Sequence, residues 1–252
     1  MIEEDPKQVA DELVSSIRGT LGDDVLGVYL YGSLAADAFV TGQSDIDLVV
    51  ALRGAVEDEA KLAALTRLHD EFVASRPNWA NRIDVGYIAT RDLEKLAMPP
   101  GGNAAVVSDN EPLHLKPLDR EWVINWYEVT TTGEVLFGRT PSDAGRRIST
   151  SEFKQAVQEL LAEWRTEIRS PWIAHSRKYQ GYVVLTVCRA LYALEHGTQA
   201  TKETAAQWAE AHYPEWREFI SEALRWQRAD ISEPYNSTVR FVDAVTASSG
   251  RE

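Results

Sequence analysis

The feature that most constrains this chain is a change of hydrophobic period part-way along it. In the first half, apolar residues come in short runs: Val25-Leu26-Gly27-Val28-Tyr29-Leu30-Tyr31, Asp47-Leu48-Val49-Val50-Ala51-Leu52 and Arg82-Ile83-Asp84-Val85-Gly86-Tyr87-Ile88. Each has the length of a buried strand. Segments with helical spacing lie around them. One, over about 6–20, puts Val9, Leu13, Val14 and Ile17 on one face and stops at Gly22. Another, over about 57–75, runs through Leu62, Leu65, Leu68 and Phe72 and stops at Pro77-Asn78. Strands alternating with helices predict an α/β domain, a mixed sheet with flanking helices.

Pro99-Pro100-Gly101-Gly102-Asn103 reads as a turn. Trp122 and Trp126 are expected in the core, and Val135-Leu136-Phe137 is a further short apolar run. Beyond Gly138-Arg139-Thr140-Pro141 the pattern is helical almost to the end. One helix starts near Ser151-Glu152 and runs through Phe153, Val157, Leu160, Leu161 and Trp164, until Ser170-Pro171 breaks it. Others are expected over about 176–196, 201–212, 215–229 and 235–247, with Pro214 and Pro234 as separators. The sequence thus predicts an α/β domain over 1–145 and an all-α helical bundle over 146–252. A cleft between the two is the expected ligand site.

Inside the strand runs sit charges that a strand core does not want. In a strand, residues i and i+2 point the same way, so Asp45 and Asp47 are expected side by side at the start of an apolar run. Asp84, between Ile83 and Val85, is a third acid in a strand. Like charges gathered there are costly unless a cation offsets them. Mg²⁺ takes one or two carboxylates and completes its shell with phosphate oxygens and water. Three such carboxylates suit two Mg²⁺ ions in phosphoryl chemistry. Gly32-Ser33 follows a strand, where a glycine lets phosphate approach the backbone. A lone D-x-D is common in surface turns, and Gly-Ser after a strand is a frequent turn. The ordered combination is far more specific.

Composition narrows the partners. With 26 Lys+Arg against 39 Asp+Glu, the formal net charge is −13, and the basic residues are scattered. Nucleic-acid binders carry a basic footprint, so no nucleic-acid partner is expected, and a cationic small molecule suits the field better. No apolar run approaches the length of a membrane span. The acidic start Met1-Ile2-Glu3-Glu4-Asp5 is unlike a secretory signal, so a cytoplasmic protein is expected; the chain is also expected to be a monomer. The single cysteine, Cys188, lies in an apolar helical stretch and reads as buried and structural.

Tyr31-Gly32-Ser33 with Ser44-Asp45-Ile46-Asp47-Leu48-Val49-Val50 closely resembles the defining motif of the polymerase-β-type nucleotidyltransferase superfamily. The resemblance implies that Asp45 and Asp47 bind Mg²⁺ and that Asp84 completes the metal site or acts as base. It implies that Gly32, Ser33 and Ser44 contact the nucleotide triphosphate, with ATP as co-substrate. The C-terminal half is similar to the helical domain of aminoglycoside (3'')(9) adenylyltransferases, which act on streptomycin and spectinomycin. That similarity runs from Tyr182-Val183-Val184-Leu185-Thr186-Val187-Cys188-Arg189 through Gly197 and Lys202 to Ala205-Ala206-Gln207-Trp208-Ala209. It implies that Arg189 and Lys202 bind ATP phosphates and that residues 146–252 bind the acceptor, with Trp172, His175 and Tyr179 as candidate contacts.

Two departures stand out. The third carboxylate is Glu in well-known members and Asp84 here, one methylene shorter. The family's drug-binding segment carries acids, whereas Ser170–Gln180 has none and includes Arg177-Lys178. The implied reaction is transfer of AMP from Mg-ATP to a hydroxyl of an aminoglycoside-type antibiotic. Other acceptors, a metabolite or a protein, stay open. A rival class is an RNA-acting toxin module, since Arg189 and His196 show the R-x₆-H spacing of HEPN nucleases. His196 before Gly197 is more simply a histidine at a helix C-terminus, where the dipole favours it. An inactive, binding-only nucleotidyltransferase sits poorly with an intact set of aspartates.

Overall fold

The structure, a computed structural model, describes residues 4–97, 99–108, 111–226 and 235–248. The chain divides into two compact units, Met1–Ser149 and Thr150–Glu252.

In the first unit, helix α1 (Pro6–Leu21) is started by Asp5, whose side chain accepts the Lys7 N–H, with Pro6 at its first position. It is stopped by Gly22 at φ 55. Strand β1 (Val25–Tyr31) leads into a single helical turn, α2 (Gly32–Ala35). Strand β2 (Ile46–Leu52) follows, then helix α3 (Glu59–Ser75), capped by the Asp58 carboxylate on the Lys61 N–H. Strand β3 (Ile83–Ala89) and the short α4 (Thr90–Leu93) lead to strands β4 (Asn103–Ser108) and β5 (Glu111–Pro117). Helix α5 (Arg120–Thr131), strand β6 (Glu134–Gly138) and the short α6 (Pro141–Ala144) end the unit.

The six strands form one mixed sheet in the order β5-β4-β3-β2-β1-β6. Only β2 and β3 are parallel; the other pairs are antiparallel. Strand alternation sorts the sheet into two faces. Val28, Leu30, Leu48, Val50, Val85 and Tyr87 turn to one, where they form a buried cluster with Val9, Leu13 and Ile17 of α1 and Leu65, Leu68 and Phe72 of α3. The other face carries Tyr29, Tyr31, Asp47, Asp84 and Gly86, and α5 lies against it. Trp126 of α5 meets Tyr29 edge to face, with ring centroids 5.6 Å apart, and its Nε1 donates to the Arg146 carbonyl at 2.9 Å. Gly86 leaves room for Trp122: a Cβ there would collide with the benzo edge of the indole. Both tryptophans are core residues, as expected.

The second unit is helical: α7 (Thr150–Glu167), α8 (Pro171–Ala174), α9 (Arg177–His196), α10 (Lys202–His212), α11 (Arg217–Trp226) and α12 (Tyr235–Ser248). Helix α9 is its axis, touching α7, α8, α10, α11 and α12. That explains why its apolar residues run almost all round: Val183, Val184, Leu185, Val187, Ala190, Leu191 and Ala193 are buried. The Ser176 hydroxyl caps its start and Gly197, left-handed at φ 70, its end. Cys188 is buried among them, and burial pushes its thiol pKa up to about 12. It is an unreactive structural cysteine, as expected. Ser170-Pro171, read as a break, also starts the short α8. Pro234 and the stretch 227–229 lie outside the described residues. No helix among the described residues is long and apolar enough to cross a membrane.

Candidate active site

Backbone register creates the site. Antiparallel pairing of β1 with β2 sets Tyr31 opposite Asp47, and parallel pairing of β2 with β3 sets Asp47 opposite Asp84. The three side chains form a row across one face of three adjacent strands. Strands lie about 4.8 Å apart, so two ionised carboxylates in such a row repel by up to about 3.5 kcal/mol at an effective dielectric of about 20. The neighbour that β pairing gives Asp47 is thus Asp84. Asp45, expected beside Asp47 at the start of the strand, stands one residue before β2 begins. All three aspartates are half-buried.

The turn after β1 is fitted to this row. Gly32 has φ +69, and a Cβ on it would collide with Asp47 Oδ2. Glycine is therefore required twice, for the left-handed backbone and for the close approach of the carboxylate. The Gly32 N–H donates to Glu128 Oε1 of α5 at 3.2 Å. Ser33 follows in α2, and its carbonyl accepts the Ala38 N–H at 2.9 Å.

The loop before Asp45 is tied down from β3. Ser44 Oγ accepts the Val40 N–H at 2.9 Å, and the Ser44 carbonyl accepts Nε and Nη2 of Arg82 at 3.0 and 2.9 Å. The Arg82 carbonyl accepts the Ile46 N–H at 3.0 Å, so residue 82 grips the chain on both sides of Asp45. Its guanidinium lies over the Trp79 ring, 4.6 Å from the centroid. Ser44, expected to contact nucleotide, has its hydroxyl engaged within its own loop.

Sequence reasoning assigned no role to Tyr31, Glu128 or Arg82. Burial, followed by the charges of Asp47, Asp84, Glu128 and Glu121, pushes the Tyr31 phenol well above its usual range. It is a protonated hydroxyl among carboxylates. Its place in the Tyr-Gly-Ser segment was the available signal. Glu128 and Arg82 reach the site through tertiary packing, which no local pattern announces.

Among the described residues, no three His, Cys, Asp or Glu side chains form a set that by itself holds a metal ion. The row does suit Mg²⁺, which needs one or two carboxylates once phosphate oxygens supply other positions. Asp47 beside Asp84, with the glycine cradle over Asp47 Oδ2, is such a pair.

In the second unit the sequence candidates fall into two groups. Arg189, on α9, directs Nε to the Ala200 carbonyl at 3.0 Å, two residues before Lys202 opens α10. The fold thereby brings these two cations to one helix junction. Trp172 of α8 and Tyr179 of α9 meet edge to face at 5.0 Å and are 48% and 38% exposed. Tyr182, 42% exposed, extends this aromatic surface and packs edge-on against Trp164. It is a member that sequence reading missed, although it stands one helical turn after Tyr179. His175 holds its Nδ1 2.6 Å from the Pro171 carbonyl. Arg177, expected to repel a cationic drug, lies over the Trp226 ring at 3.4 Å, while Lys178 is exposed. His196 lies tilted against Tyr192, ring centroids 4.2 Å apart, and so belongs to an aromatic cluster with Trp208.

Comparison with known proteins bears on both units. Residues 146–249 match the family described as aminoglycoside adenylyltransferase, C-terminal domain. The fold is similar to that of a spectinomycin adenyltransferase from Enterococcus faecialis, solved with ATP and spectinomycin. The TM-score is 0.76 at 17% identity, covering 96% of this chain and 100% of that one. Two weaker likenesses are a toxin–antitoxin complex with AMP-PNP and a tri-AMPylated Shewanella oneidensis HEPN toxin with its MNT antitoxin. The first has a TM-score of 0.31 at 16% identity, over 63% of this chain and 94% of that one. The second has 0.29 at 15%, over 64% and 94%. A search of curated proteins found no match. The C-terminal unit thus matches the aminoglycoside adenylyltransferase C-terminal domain, and the chain has the fold of the spectinomycin adenyltransferase.

Proposed function

We propose that this enzyme transfers AMP from ATP to a hydroxyl of a small, ring-built, polyhydroxylated acceptor, most readily an aminoglycoside-type antibiotic such as spectinomycin or streptomycin. The observation that carries the reading is the row Tyr31–Asp47–Asp84 beside the Gly32 turn. The N-terminal unit acts as the nucleotidyltransferase domain and the C-terminal unit as the acceptor-binding domain. Gly32 and Ser33 meet the triphosphate from the turn after β1, and Arg189 and Lys202 add positive charge from their helix junction. Asp47 and Asp84, with Asp45 beside them, would hold Mg²⁺, which would supply charge to neutralise the phosphate oxygens.

The acceptor oxygen attacks the α-phosphorus in line and forms the new P–O bond. The bond from the α-phosphorus to the bridging oxygen breaks, and pyrophosphate departs with that electron pair. The acceptor's proton passes to the Asp84 carboxylate, the third acid beside the Asp45–Asp47 pair. Trp172, Tyr179 and Tyr182 offer flat apolar faces for the ring of a sugar or cyclitol. That platform, with Arg177 stacked inward, favours an acceptor whose recognition relies on ring faces over one that relies on many ammonium groups.

The test is pyrophosphate release from ATP and Mg²⁺ with a panel of aminoglycosides and spectinomycin, followed by mass spectrometry. A drug heavier by one AMP establishes the reading and names the acceptor. Silence across the panel, with labelled ATP still bound, moves the same chemistry to a metabolite or protein acceptor.

A further inference from the structure

The Tyr31–Asp47–Asp84 row stands at one end of the strands; a second, oppositely charged site stands at the other. Strand β1 runs from Val25 to Tyr31, roughly 20 Å at strand rise. At its Val25 end lies a groove of about 480 Å³ lined by Arg18, Arg53, Arg139, Phe137, Gly138 and Asp23, among others. Pockets of about 300–1,000 Å³ hold small-molecule ligands.

Each arginine comes from a different part of the chain; the side chains of Arg18 and Arg53 are held in place, and Arg139 is held through its main chain. Arg18, in the last turn of α1, lies over the Phe137 ring, 3.8 Å from its centroid. Arg53, one residue past β2, has Nε and Nη2 each 3.4 Å from the Asp23 carbonyl, while its backbone N–H donates to the Asp24 carbonyl at 2.8 Å. Arg139 follows Gly138, whose φ of +80 and close contact with the Leu26 carbonyl admit no side chain. The Arg139 N–H donates to that carbonyl at 2.9 Å. All three side chains are exposed. Among the described residues none of them lies within ion-pair distance of a carboxylate, and Asp23 is the one acid lining the groove. The neighbouring Asp24 is taken by Lys61 at 2.6 Å.

In a chain of formal net charge −13, three arginines gathered without an acidic partner are a local reversal of sign. We propose that this groove binds a small oligophosphate anion such as pyrophosphate. Guanidinium forks match phosphate oxygens two at a time, and three converging forks suit a ligand with two or more phosphates. The groove's volume suits a small molecule, and the acidic surface around it repels an extended polyanion. The site is separate from the Asp47–Asp84 row and does not depend on the reading of that row.

Equilibrium dialysis of the full chain with labelled pyrophosphate in EDTA tests this, because without Mg²⁺ the aspartates repel the probe. Saturable binding near one per chain is expected. It should weaken at least tenfold in R18Q/R53Q/R139Q and persist in Asp47→Asn. The single change Arg139→Glu, at a residue whose fold contact is through the main chain, should weaken it as much and keeps the test open if the triple variant unfolds. Absence of saturable binding in the parent, retention in Arg139→Glu, or equal displacement by inorganic phosphate would each overturn the proposal.

Discussion

The two units of this protein hold their functional groups by different means. In the N-terminal unit the groups are set by the backbone. Tyr31, Asp47 and Asp84 line up because three strands pair in one register, and Gly32 sits where only glycine fits. In the C-terminal unit they are set by side chains on helix surfaces. Trp172, Tyr179 and Tyr182 project from α8 and α9 and are exposed. Register admits no small adjustment: a slip of one residue turns every side chain of the strand to the opposite face. A helix surface admits many, since exposed residues change with little effect on packing. On the proposed function, the chemistry is thereby fixed and the choice of acceptor adjustable.

The contrast is broken most directly by Asp47→Ala. It removes the centre of the row while leaving the pairing of β2 with β1 and β3 intact. Transfer should fall by at least about 10³-fold, with circular dichroism and melting temperature nearly unchanged, as expected when a charge-stabilising group is lost. Retained transfer would show that the row is not the reacting centre. Gly32→Ala comes next. The added Cβ meets Asp47 Oδ2, and φ +69 is strained for any other residue. Moving that carboxylate by a fraction of an ångström should lower kcat about 10²-fold. Wild-type kcat in Gly32→Ala would mean that the turn is looser than its geometry.

Acid stability should also separate the units. His69 is buried with its Nε2 2.8 Å from the Tyr87 hydroxyl, and burial pushes its pKa from 6.5 down to about 4. Between those values the unfolded chain binds a proton that the folded chain refuses. Stability is therefore full above pH 6.5 and drains as pH falls towards 4, by about 1.4 kcal/mol per unit. At pH 5 the loss is about 2 kcal/mol. The histidines of the C-terminal unit, His175, His196 and His212, are exposed. Urea melts at pH 7 and pH 5 should show the drop, and His69→Gln should flatten it. An unchanged slope in His69→Gln would assign the acid sensitivity elsewhere.

How far these features were legible in the sequence follows the same division. The runs that became β1, β2 and β3 were plain because they are buried on both faces and nearly all apolar. The helices of the C-terminal unit were plain because their apolar residues repeat at helical spacing. Strands β4 and β5 were not, since β5 is an edge strand whose side chains are mostly exposed or half-buried and carry little pattern. The aspartates could be picked out because charges inside apolar runs are conspicuous. That Asp47 faces Asp84, with Asp45 outside the strand, is a matter of register, which spacing alone does not give. Glu128 and Arg82 were invisible for a related reason: each reaches the site across a long stretch of chain, 96 residues from Glu128 to Gly32 and 38 from Arg82 to Ser44.

The smallest expected effect sharpens the contrast most, because it concerns the adjustable side. Trp172→Ala removes the most exposed ring of the aromatic surface, and Trp172 touches Tyr179 edge to face. If that surface serves only to hold the acceptor, the change should raise KM for the acceptor about tenfold and leave kcat and KM for ATP as they were. Tyr182→Ala should do the same more weakly, since Tyr182 also packs against Trp164 and offers less free face. A fall in kcat at constant KM would mean that the ring acts in the transition state, and the division into a fixed reacting centre and an adjustable acceptor surface would fail. A loss of ATP binding would fail it differently, by placing the nucleotide on the aromatic surface. Measuring both KM values on the same variant decides between these, and it needs no change to the folded core.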